Sequence, residues 1–262
     1  SQGGNVIGVI AGDENSKNTL TGMADMSVTT TSSNATGLQA QDGGTNEVNT
    51  EATTNLGTLT VSTGSGDARG ISAQDSGSSN TVAGLGAITV SGTTVASGID
   101  AYNGGTNIVN HKGDTDRGDI TVTSTTTSAY GVSAFTGNGM ESTDNKVYGY
   151  ENIVVTGGAD SPFMTQNLEV SGVNATNINA EKTATNTVVL SGGISATGDV
   201  KAGGGNWTYH DKVYGVSADG AGSANDVTMA GNIEAKAGQT NTNYATIAAI
   251  DADNSGKNTI TG

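Results

Sequence analysis

Three short signatures recur in fixed order along the chain, and their spacing leaves little room for more than one architecture. The first is a small residue, an aliphatic, any residue, then Ala. It reads Gly37-Leu38-Gln39-Ala40, Gly70-Ile71-Ser72-Ala73, Gly98-Ile99-Asp100-Ala101, Gly131-Val132-Ser133-Ala134 and Gly215-Val216-Ser217-Ala218. Looser copies are Gly8-Val9-Ile10-Ala11, Asn177-Ile178-Asn179-Ala180 and Ala249-Ile250-Asp251-Ala252. The second is Asn, any residue, aliphatic, running from Asn18/Leu20 through Asn80/Val82 and Asn145/Val147 to Asn258/Ile260. The third is an apolar pair two residues apart, such as Leu59/Val61, Ile88/Val90, Ile120/Val122 and Ile153/Val155.

Each signature has the period of two that marks a strand with one buried face. Each is flanked by Gly, Asn, Asp and Ser turns, and no gap regularly holds a helix. A repeat of this length sets the architecture of the whole chain. Three short strands per repeat predict one turn of a parallel β-solenoid, about eight coils stacked about 4.8 Å apart. Ile71, Ala73, Val82, Ile88 and Val90 then fill the core of one coil, and Thr and Ser face water between them. The outward positions of the first signature are expected at Gln39, Ser72, Asp100, Ser133, Asn179, Ser217 and Asp251. The recurrent Asn fits either a stacked ladder of amides or a left-handed corner.

Composition agrees. Of 262 residues, 41 are Gly, 1 is Pro, none is Cys and 33% are hydrophobic, so the core must be thin and elongated. A polar, glycine-rich chain could instead be disordered, but disorder does not space apolar residues regularly. The net charge of −15 makes nucleic acid and anionic membrane surfaces unsuitable partners. There is no signal peptide and no long apolar run, so direct membrane insertion by this segment is not expected. The closing "DNSGKNTITG" echoes "DENSKNTLTG" near the start, so residues 1–262 read as a single β-helix segment, expected to be an excerpt of a longer rod.

The coil pattern "YGVSA…N.V…G.I.A" resembles the β-helical passenger regions of Gram-negative autotransporters, with filamentous-haemagglutinin-type surface adhesins as close competitors. The resemblance covers essentially the whole chain and rests on architecture rather than on a catalytic motif. It implies a right-handed parallel β-helix, extracellular or on the bacterial cell surface, that acts as a non-enzymatic adhesin in attachment or aggregation. Its partners would be host or bacterial surface glycans or proteins, or further copies of itself. A purely structural filament or spacer and a polysaccharide-degrading β-helix enzyme are the alternatives.

An enzyme of that kind needs carboxylates with Lys or Arg on adjacent coils. Asp100 and Asp251 fall four coils apart, and no such group assembles. No cofactor is expected. Asp251 to Gly256, "DADNSG", has alternating oxygen ligands that could suit calcium, but it lacks the distal Glu of an EF-hand. The stronger functional signal is three longer loops expected at 156–176, 197–214 and 236–248. They carry residues rare elsewhere in the chain, namely Phe163 beside Pro162 and Met164, then Trp207, Tyr209 and His210, then Tyr244. Loops on rigid scaffolds commonly bind, and aromatic side chains anchor ligands. A second candidate is the positive cluster of His111, Lys112 and Arg117. It includes the tripeptide Arg117-Gly118-Asp119, an integrin-type adhesion sequence, in which Gly118 is expected to make a turn and Arg117 to be accessible.

Overall fold

The computed structural model describes residues 4–49, 57–158, 168–198, 211–237 and 245–262. Its strands all pair in parallel and form three sheets, of 8, 8 and 7 strands. Successive strands visit the three sheets in turn, so each pairs with its equivalent one circuit earlier and one circuit later. The chain is a right-handed parallel β-helix. Coil three shows the plan: Ala68–Gln74 in the first sheet, Ser79–Val82 in the second and Ile88–Gly92 in the third. No helix occurs among the described residues, so none is long and apolar enough to cross a membrane.

Identical positions stack along the rod because strands in register place them one above another. Ile71 pairs with Ile99 and Ile99 with Val132 in the first sheet, and Ile88 with Ile120 and Ile120 with Ile153 in the third. All of these side chains are fully buried. Each such residue contributes about 1.5–3 kcal/mol relative to exposure. The five residues expected inside coil three, Ile71, Ala73, Val82, Ile88 and Val90, are all buried.

The recurrent asparagines form a continuous ladder through this interior. Asn18, Asn46, Asn80, Asn107, Asn145, Asn186, Asn225 and Asn258 are linked in that order, each Nδ2 donating to the Oδ1 of the next at 2.8–2.9 Å. The second proton of the same Nδ2 goes to a backbone carbonyl of the first sheet, for example from Asn80 to Ser72 and from Asn107 to Asp100, both at 2.7 Å. The left-handed corner falls instead on other asparagines, Asn49 and Asn110, at φ 53 and 65. There Asn110 Oδ1 accepts from Leu85 N at 2.9 Å and Nδ2 donates to Leu85 O at 3.0 Å, tying one coil's corner to its neighbour's.

The glycine that opens the first signature is required by close approach, not by its dihedrals. A Cβ built on Gly70, Gly98 or Gly131 would lie 2.3, 2.6 or 2.4 Å from the carbonyl oxygen of the next coil's glycine. The same Cβ would press on the third sheet's Ile side chain across the core, for Gly98 the Cγ2 of Ile120 at 2.8 Å.

One alignment differs from expectation. In coil six the first-sheet strand is Glu169–Asn177, and Val173, Asn174 and Ala175 pair with Val132, Ser133 and Ala134. The outward position is therefore Asn174 rather than Asn179, and Ile178, expected to be buried, is 61% exposed. Strands also begin at Glu169, Asp211 and Ala245, so each of the three expected loops ends in strand. The five extra residues of coil six move to the corner after the first sheet, at 178–183, and stack on the matching insertion 137–142 of coil five. There Asn179 Nδ2 donates to Met140 O at 2.9 Å and Lys182 pairs with Glu141 at 2.7 Å.

Replacing Asn107 by Ala should leave Asp100 O, Asn145 Oδ1 and one proton of Asn80 Nδ2 without partners. The expected loss is at least ~3 kcal/mol, at 1–3 kcal/mol for each buried unsatisfied group, read from denaturant unfolding. Asn107→Asp, which cannot donate when ionised, should be worse than Ala at neutral pH and recover part of the loss on acidification. Gly98→Ala should cost about 1–3 kcal/mol by overpacking, measured in the same way, although Ala is intrinsically the better strand residue.

Candidate functional site

The three outer surfaces of the rod differ chemically. The outer face of the first sheet carries stacked aromatic groups together with titratable ones. Register places Tyr130, Ser171 and Tyr214 in one column and Glu169 beside Lys212 in another. Phe135, Thr176, Asp219 and Asp253 form a third column, and Ser217 and Asp251 belong to the column that runs through Gln39, Ser72 and Asp100. Tyr102 stacks on Phe135 with ring centroids 4.8 Å apart and planes 10° from parallel, an aromatic step built by the coil repeat itself. Lys212 Nζ lies 6.0 Å from the centroid of the Tyr214 ring, at the outer limit of a cation–π contact.

Burial raises the pKa of several of these groups. It pushes the Glu169 carboxyl above the usual range, with Lys212 and the Tyr130 hydroxyl partly offsetting it. It pushes the Tyr130 phenol up as well, reinforced by Glu169. Burial carries Tyr214 to about 12, and the carboxylates of Asp251, Glu169, Asp253 and Asp219 add to that shift. Asp100 is raised by burial, while Arg69, whose Nε is 3.6 Å from its Oδ2, pulls it back. Asp251 is raised by partial burial and by Asp253. Tyr214, Ser171 and Ser217 are buried, so the accessible part of this face is Tyr102, with Phe135, Tyr130, Glu169 and Lys212 half-buried beside it.

Among the sequence-derived candidates, Phe163, Trp207, Tyr209, His210 and Tyr244 lie outside the described residues. At Arg117-Gly118-Asp119 the expected accessibility of Arg117 is corrected. Arg117 is 6% exposed rather than accessible, and its Nη2 is held by Asp114 Oδ2 at 3.0 Å. Asp119 Oδ1 accepts from both the backbone N and Nδ2 of Asn152 at 3.0 Å, so that carboxylate ties coil four to coil five. Gly118 has φ 80, the turn geometry expected of it. His111 lies 4.0 Å from the same Asp114, so this acidic residue faces two of the three members of the expected positive cluster.

In the "DADNSG" segment Asp251, Ala252 and Asp253 belong to the strand Ala245–Asp253, and Asn254 Nδ2 donates to Asp219 Oδ1 at 2.8 Å. No three His, Asp or Glu side chains among the described residues converge as a metal site. Asp100 and Asp251 are four register steps apart, with Ser133, Asn174 and Ser217 between them. A groove of about 620 Å³ lies at the entry to the third sheet, lined by Asn152, Gly192, Gly193, Gly231 and Asn232. Its backbone donors are already engaged, Gly193 N by Asn152 Oδ1 at 2.8 Å and Gly231 N by Gly192 O at 2.7 Å, so it offers no anion cradle.

Sequence reasoning missed Tyr102, Phe135, Tyr130, Glu169 and Lys212. The signal for two of the columns was present, because Tyr130 and Tyr214 open the twice-repeated Tyr-Gly-Val-Ser-Ala. No protein-family model matches the chain, and no curated protein or solved structure matches it.

The raised carboxyl of Glu169 has a definite consequence. Its folded pKa lies above its unfolded value, so the native state binds the additional proton between the two. The contribution of Glu169 to stability must fall as pH rises through that window and recover on acidification from neutral. Glu169→Gln, which mimics the protonated form, should raise the thermal midpoint at neutral pH and flatten the midpoint-versus-pH curve between neutral and mildly acidic conditions.

Proposed function

We propose that this chain is a segment of a non-enzymatic bacterial adhesin, a surface-exposed or secreted rod of the autotransporter or filamentous-haemagglutinin kind. On this reading the β-helix holds a binding face at a distance from the cell. That face is the outer surface of the first sheet. The observation that carries the proposal is the placement of the aromatic pair Tyr102 and Phe135, of Tyr130 and of the Glu169/Lys212 pair on this one face. The segments that enter the same sheet in coils six, seven and eight contain Phe163, Trp207, Tyr209, His210 and Tyr244.

The ligand class follows from charge. A chain of net charge −15 repels sulfated or sialylated glycans and favours neutral or amine-bearing sugars, or basic protein segments, on the opposing surface. Flat aromatic side chains suit the apolar faces of sugar rings. A second reading, a structural filament or spacer, is favoured by the unbroken asparagine ladder, which gives stiffness without any ligand.

Glycan-array and cell-attachment binding by the purified chain separates the two. The adhesin reading expects Trp207→Ala with Tyr209→Ala, or Tyr102→Ser with Phe135→Ser, to weaken binding by roughly 30-fold, the effect of losing about 2 kcal/mol at an aromatic anchor. Circular dichroism of the variants should stay unchanged. Binding that is absent in the parent chain, or undiminished in both double variants, would leave the spacer reading.

A further inference from the structure

The outer face of the third sheet is as uniform as the first is varied. In coils two to four its strands, Leu59–Thr63, Ile88–Gly92 and Ile120–Ser124, bury alternate residues and turn two residues each outward. One outward column runs Thr60, Thr89, Thr121 and the other Ser62, Ser91, Thr123, paired without a register break. Coil one extends the columns with Ser27 and Thr29, coil five with Val154 and Thr156, and coil six with Ser195 and Thr197. Val154 is the one non-hydroxyl in these six coils.

Charge is excluded from this face until coil seven, where Glu234 and Lys236 pair at 2.7 Å. The other two sheets turn charged groups outward throughout, for example Arg69 and Lys212 on the first, and Glu47, Asp144, Lys146 and Asp226 on the second. In a chain with 25 acidic residues such an exclusion needs a reason. The hydroxyls are also available. Apart from Ser62 Oγ, which donates to Thr29 Oγ1 at 3.1 Å, none of them bonds another described side chain.

The geometry is that of a two-dimensional lattice. Columns repeat about every 4.8 Å up the rod, and the two columns stand about 6.6 Å apart, twice the rise per residue of a parallel strand. Water oxygens in hexagonal ice repeat along perpendicular directions at spacings of this size. A rigid array of hydroxyls can each donate and accept toward such a layer. The threonine methyl groups between them order the intervening water without competing for it. Charged side chains would hold hydration shells that no ice plane can accommodate, and this face has none.

We propose that the outer face of the third sheet in coils one to six is an ice-binding surface, whose ligand is crystalline water. It shares no residue with the adhesive face of the first sheet and stands or falls separately from it.

The test is partitioning of the purified chain into slowly grown ice, with inhibition of ice recrystallisation as the second readout. The parent chain should be enriched in the ice fraction severalfold over a carrier protein of similar size. Thr89→Lys with Thr121→Lys, both outward-facing, should abolish that enrichment while leaving the β-sheet circular dichroism and the thermal midpoint unchanged. Ser62→Thr with Ser91→Thr, which completes one column with threonine, should strengthen ice binding, so the proposal does not rest on loss of function alone. If the parent chain partitions like the carrier, or if the lysine variant stays enriched, the proposal is overturned.

Discussion

The buried asparagine ladder is the interaction on which the other features depend. A side-chain amide with two donors and one acceptor in use cannot sit in an apolar interior unless its partners stand at fixed points. In this rod those points are the Oδ1 of the same residue one coil on and a backbone carbonyl of the first sheet. A coil that slipped by one residue would turn its apolar face outward and would also break two ladder links. Hydrophobic burial drives the stacking, but it would tolerate several registers of Val, Ile and Ala. The amides accept one.

Once register is fixed, the rest follows. Every inward position meets its own kind, so the core is a set of columns, and the glycine column is the place where chain and core come too close for a Cβ. Every outward position also forms a column, which is why the surfaces segregate by chemistry. One face collects hydroxyls, and another collects aromatic rings and carboxyls whose proximity raises the pKa of Glu169 and Tyr214. Function on such a scaffold is written in columns rather than in pockets.

Most of the fold was legible in the sequence because its signals are local and repeated: period-two apolar pairs, the recurrent Asn and the near absence of proline. Coil six shows where that stops. Asn177-Ile178-Asn179-Ala180 mimics the first signature, yet Gly172-Val173-Asn174-Ala175 occupies the strand, because only it supplies the glycine that fits beneath Ile194 and Gly215 O. The strict form of the signature was therefore present at 172–175, and the ordinary spacing to Asn186 drew the reading to 177–180 instead, because the insertion at 178–183 lies between the two strands. Arg117 is a similar case. Its neighbours in sequence predict a loop, but Asp114 and the backbone carbonyl of Gly149 draw it inward. The aromatic face was hidden for a third reason. Tyr102 and Phe135 lie in different coils, 33 positions apart, and only the register brings their rings together.

The ladder is most directly tested by hydrogen exchange of the asparagine side-chain amides, followed by NMR on the folded chain. The account predicts that the Nδ2 protons of Asn80, Asn107, Asn145 and Asn186 exchange as slowly as the most protected backbone amides of the central strands. Each should also show a through-bond contact to the carboxamide of the next asparagine. Exchange at the rate of an exposed residue such as Asn138 would contradict it, because the register, the columns and the faces built on them would then lack the interaction that holds them.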